Sequence, residues 1–82
     1  MSAKLRSLLG NLRVLSGSQL RVLLEAHGFV QVRQKGSHIV MQLSTADGSI
    51  TVPVPDHREI RIGTLMSIIR QSGISKSVFE TK

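Results

Sequence analysis

Eighty-two residues leave room for one domain and one core, and a chain this short buries only about 60–65% of its unfolded surface. An apolar fraction of 40% is too high for disorder, while Phe29 and Phe79 are the only aromatics, which argues against a base-stacking platform. Eleven Lys and Arg against five Asp and Glu give a net charge of +6, which suits nucleic acid, an anionic membrane or an acidic protein.

Other absences narrow the field. With no cysteine there is no disulfide and no thiolate metal site, a composition that fits a reducing cytoplasm. No apolar run approaches the ~20 residues of a bilayer span. Met1 to Leu24 lacks acidic residues, as a transit peptide does, but Leu15 to Leu24 is better used as a helix.

Residues 1–14 hold Gly10 and Asn11 and no sustained period, so they read as an N-terminal extension to a domain of residues 15–82. Ser16 opens a helix: Ser16 and Gln19 have capping-box spacing, with Leu15 and Leu20 placed as a hydrophobic staple. Leu20, Leu23 and Leu24 form the apolar stripe, and Arg21 and Glu25 lie outside it. Gly28 is the expected left-handed terminator, Phe29 folds back toward Leu24, and His27 in the last turn is a helix-capping histidine.

Phe29 to Gln34 reads as a first strand with Val30 and Val32 on one face, and Lys35-Gly36 as the turn. His38 to Leu43 alternates, with Ile39, Met41 and Leu43 on one face and His38, Val40 and Gln42 on the other. Ile50, Val52 and Val54 alternate in the same way. A hairpin centred on Asp47 and Gly48 sets Leu43 opposite Val52 and Met41 opposite Val54. Pro53 lacks an N–H, so a four-residue loop from Ala46 to Ser49 is expected, with the third strand at an edge.

Arg61 to Gly73 reads as a second helix with Thr64 as N-cap, Leu65, Ile68 and Ile69 as its buried stripe, and Gly73 as terminator. Ser75 caps a short last turn through Phe79. The expected fold is α+β: helix, three-stranded antiparallel meander, helix, in two layers. Both helices cover the Ile39/Val52 face and leave the His38 face open.

The run Arg33-Gln-Lys-Gly-Ser-His38 carries the chemistry. Cations hold a polyanion, and an imidazole behind them takes a proton near neutral pH. Arg33, Lys35 and Ser37 are phosphate-binding donors around His38 as a candidate general base. The bland alternative is an exposed hairpin with solvating cations. Carrying the expected register onward sets His38 opposite His57, which makes His57 a possible second acid or base. Ser37, His38 and Asp56 have the residue types of a hydrolytic triad without its elbow motif. The wide spacing of His27, His38 and His57 matches no compact metal site. Neither a metal nor any other cofactor is expected.

The stretch from Leu20 to Gly28 with Phe29-Val-Gln-Val-Arg-Gln-Lys-Gly-Ser-His38 resembles the signature of HicA toxins, also called YcfA-like proteins. Ile50-Thr-Val-Pro-Val54 and Gly63-Thr-Leu-Met-Ser-Ile-Ile-Arg-Gln-Ser-Gly73 resemble the same family in the same order. The resemblance spans roughly Ser16 to Phe79; the segment before Leu15 and Pro55 to Glu59 depart from it. It implies a fold similar to the double-stranded-RNA-binding domain and a ribonuclease that cuts mRNA as the toxin of a toxin–antitoxin pair. Its catalytic histidine matches His38, and its partner is a HicB-type antitoxin. The expected function is therefore metal-independent mRNA cleavage in the cytoplasm. A non-catalytic RNA-binding module using the same basic face is the alternative, and a small protein-interaction domain is a third reading.

Overall fold

Residues 11–81 are described by a computed structural model. In chain order the elements are α1 (Gly17–Glu25), β1 (Val30–Lys35), β2 (His38–Thr45), β3 (Gly48–Pro55), α2 (Ile62–Ser72) and a 3-10 turn (Lys76–Phe79). The strands form one antiparallel sheet in the order β1-β2-β3, so the fold is the expected α+β meander between two helices. The first ten residues of the segment read as an extension lie outside the described residues.

Local chemistry sets both ends of α1. The Gln19 N–H donates to the Ser16 hydroxyl at 3.0 Å, and the Ser16 N–H donates to the Gln19 side-chain carbonyl at 2.9 Å. This reciprocal box satisfies two N–H groups that the helix itself leaves open. At the other end Gly28, at φ 94°, reverses the chain. The Phe29 N–H then reaches the Leu24 carbonyl at 3.1 Å, and the Gly28 N–H reaches Glu25 at 3.0 Å. That crossed pair is a Schellman motif, and it delivers Phe29 into the core beside Leu24. His27 completes the cap as expected: its Nδ1 lies 2.9 Å from the Leu23 carbonyl, which can only accept, so Nδ1 carries the proton.

The sheet register departs from expectation by two residues. Leu43 faces Ile50, Met41 faces Val52 and Ile39 faces Val54. The turn is Ala46-Asp47, closed by Thr45 and Gly48, and not a four-residue loop. Asp47-Gly48 looks like a turn centre, but Gly48 sits after the turn, where it alone takes a positive φ, 142°. A two-residue slip keeps every side chain on its face. Accordingly Ile39, Met41, Val52 and Val54 are buried together, as the alternation requires.

The proline argument holds with a different geometry. Hydrogen-bonded and non-bonded pairs alternate along an antiparallel ladder. The ladder's last bond is the Asp56 N–H to the Ser37 carbonyl, 2.6 Å. Counting back, Pro55 opposite His38 and Pro53 opposite Val40 both fall in non-bonded pairs. Their missing N–H groups point away from β2, so β3 is an edge strand that loses no ladder bond.

α2 begins earlier than Thr64 implies. Its N-cap is Arg61, with no side-chain capping bond, and Thr64 lies within the first turn. Gly73 ends it at φ 73°. Leu65, Ile68 and Ile69 meet Leu20 and Leu24 of α1 and the inner sheet residues in one core. Each such side chain contributes about 1.5–3 kcal/mol on full burial. Asn11 to Arg13 close the structure against the far end of the chain. Leu12 bridges Glu80, the Arg13 N–H donates to the Phe79 carbonyl at 2.9 Å, and the Thr81 N–H donates to Asn11 at 2.7 Å.

Candidate nucleic-acid interface

Strand parity gives the face away from the helices its composition. On β2 it presents His38, Val40 and Gln42; on β3, Pro55, Pro53 and Thr51 stand opposite them in that order. On β1 the pairing is Lys35 with His38, then Arg33 with Val40. A bulge follows between Gln31 and Arg33, with Val32 as the extra residue, so Val30 and not Gln31 comes opposite Gln42. Val30 and Val32 are 58% and 41% exposed and do not join the core.

Three of the expected site residues thus converge. The turn between β1 and β2 is Gly36-Ser37, not Lys35-Gly36, because Gly36 takes φ 60° and Ser37 a negative φ. Glycine at the first central position is the requirement of a type II′ turn. Lys35 is consequently the last residue of β1, directly opposite His38, where facing residues have Cβ atoms about 4.5–5.5 Å apart. Arg33 stands one row further along, and all three side chains are exposed. Val40, on the same face with Arg33 and Pro53 on either side, is only 8% exposed.

Ser37 and His57 are placed differently. Ser37 is in the turn, and its carbonyl is committed to the Asp56 N–H. That pairing sets Ser37 and Asp56 opposite each other, and alternation points both away from His38's face, so no triad forms there. His38 faces Pro55, and the expected facing pair of His38 with His57 is not made. After Asp56 the chain leaves the ladder and docks on α1. The His57 carbonyl accepts from the Gly17 N–H at 2.8 Å, and the Ile60 N–H donates to the Leu15 carbonyl at 2.8 Å.

Sequence reasoning missed the part played by Gly17. A Cβ built there would overlap the Pro55 carbonyl oxygen and lie 2.9 Å from the Asp56 Cα. Only glycine lets α1 approach the end of β3 this closely. Its position at the helix start, next to a capping serine, gave no sign of that.

β1, β2 and β3 contain no carboxylate. Lys35 and Arg33 therefore set a positive field beside the imidazole at this end of the sheet. Among the described residues no helix is long and apolar enough to cross a membrane.

Fold and site define a small basic α+β domain that presents one histidine beside two cations on an open sheet face. A profile of the HicA toxin family of bacterial toxin–antitoxin systems matches residues 17–74. The chain belongs to that family, and it is a toxin with a partner antitoxin. No curated protein and no solved structure matches it.

Proposed function

We propose that the protein is an endoribonuclease that cleaves mRNA without a metal, with His38 as general base. The observation that supports this most is the row Lys35–His38, an exposed imidazole directly opposite an ammonium, with Arg33 one row away. Neutral His38 takes the proton from a ribose 2′-hydroxyl. The 2′-oxygen then bonds to the adjacent phosphorus as the bond from phosphorus to the 5′-oxygen breaks. Lys35 and Arg33 hold the phosphate and offset the charge that builds on its oxygens. The leaving 5′-oxygen takes its proton from water. Ser37, whose side chain is turned from this face, offers the phosphate its backbone N–H at the turn. His57, whose chain is drawn to α1, is left without an assigned step. On this reading residues 15–82 are the RNA-cleaving domain, the partner is a HicB-type antitoxin, and the setting is the cytoplasm.

The route needs the 2′-hydroxyl. Purified protein should cut labelled RNA equally with and without EDTA, leaving a 2′,3′-cyclic phosphate and a 5′-hydroxyl. DNA of the same sequence should be bound and left whole. Loss of cutting in EDTA, or equal cutting of DNA, defeats the mechanism. RNA binding with no turnover would leave the non-catalytic reading of the same face.

Lys35→Ala tests the phosphate contact separately. It should weaken RNA binding and lower the salt dependence, log K against log salt, by about one unit. An unchanged slope makes Lys35 a solvated strand end.

A further inference from the structure

From His38 the open face extends in one direction only. His38 is the first residue of β2, and beyond it lie the Gly36-Ser37 turn and the point where the chain leaves the ladder after Asp56. The other way, the sheet continues along the whole of β2. An RNA strand whose scissile phosphate sits at Lys35 and His38, and which stays on the sheet, passes next over Val40 and Pro53. That row is apolar and offers no base-edge contact. The row after it is polar: Gln42 and Thr51 face each other, and the Gln42 Nε2 donates to the Thr51 hydroxyl oxygen at 3.2 Å.

That bond fixes an otherwise free amide. A glutamine side chain loses up to about 1.5–2 kcal/mol of rotamer entropy when ordered, and here the ordering precedes any ligand. With one Nε2 hydrogen used, the pair still presents the second Nε2 hydrogen, the Thr51 hydroxyl hydrogen and the Gln42 carbonyl oxygen. Donor and acceptor side by side on a held amide are what a base edge requires, since an amide pairs with a base through one of each. At about 3.4 Å per residue, Gln42 is about 14 Å from His38 along the strand. A base there is not the one at the cut.

We propose that Gln42 and Thr51 determine the sequence preference of this nuclease by reading the edge of a base beyond the scissile phosphate. The assignment rests on the ribonuclease reading of His38. It gives the two ends of the face different tasks: Lys35, His38 and Arg33 engage the ribose-phosphate backbone that every RNA shares, while Gln42 and Thr51 engage what differs between RNAs.

The test uses the full chain and a pool of RNAs with a randomised segment, with the cut ends sequenced. Wild type should show a base preference at one position displaced from the cut. Gln42→Ala should flatten that preference by about tenfold or more, and Thr51→Val, which keeps the side chain's shape and removes its hydroxyl, should weaken it. Preferences at the nucleotides flanking the cut should persist in both variants. Variants that cut with the wild-type pattern overturn the inference while leaving the nuclease reading standing, whether or not their melting temperatures fall. If wild type cuts no member of the pool, the nuclease reading fails and the inference fails with it.

Discussion

His38→Ala is expected to slow RNA cleavage by at least about a hundredfold, the scale on which a positioned general base acts, while the protein melts as wild type does. The two halves of this result have separate grounds. His38 is exposed and faces Pro55 across the ladder, so truncating it leaves no cavity among Ile39, Met41 and Val54 on the other face. Its catalytic weight comes from standing opposite Lys35, which holds phosphate where the imidazole can reach a 2′-hydroxyl. RNA affinity should change much less than rate, because the cations remain. The measurement is single-turnover cutting at matched folded concentration, alongside a thermal melt. Equal rates for variant and wild type would sink the mechanism. A collapsed melt would show instead that His38 supports the fold.

Gly17→Ala should destabilise the domain by about 2 kcal/mol or more, although alanine is the better helix former by about 1 kcal/mol. The two effects oppose each other, and geometry decides between them. The new methyl would meet the Pro55 carbonyl oxygen and the Asp56 Cα, both of them backbone, so no side chain can swing aside. Overpacking of this kind costs about 1–3 kcal/mol. Moving the strand end away would also strain the Gly17–His57 hydrogen bond, worth about 0.5–1.5 kcal/mol. In a domain of this size that corresponds to a fall of about 10 °C or more in Tm. Ser18→Ala, at the next and exposed position, should stay within about 0.5 kcal/mol of wild type. If the glycine variant melts as high as the serine variant, the close approach has no structural weight.

What could be read from residues alone was what local patterns control. The Ser16–Gln19 box, the Gly28 and Gly73 terminators and the two faces of β2 follow from side chains a few positions apart, and each formed as expected. Register is a longer-range property. The Asp47-Gly48 pair invited a turn one residue too late, and the alternation could not object, because a two-residue slip leaves the inner face unchanged. The same slip was enough to bring His57 opposite His38 on paper, where Pro55 stands in the fold. The bulge at Val32 carries no glycine to announce it. The candidate site was within reach of the sequence because Arg33, Lys35 and His38 are close along the chain. Only the true turn shows that Lys35 faces the imidazole.

The terminal pairing has a consequence for how the protein is made. Asn11 to Arg13 bond to Phe79 to Thr81, and Phe79, with 0% of its surface exposed, is part of the same core as Leu12 and Leu15. Contacts between segments this far apart in sequence carry a large loop-closure cost and form late. During synthesis, α1 and the meander emerge while the core still lacks the aromatic that fills its end. Until Phe79 is in place the core around Leu12 and Leu15 lacks one of its largest side chains, so the finished packing needs residues 11–13 and 79–81 together. The last part of the core to close is therefore the part that joins the first and last described residues.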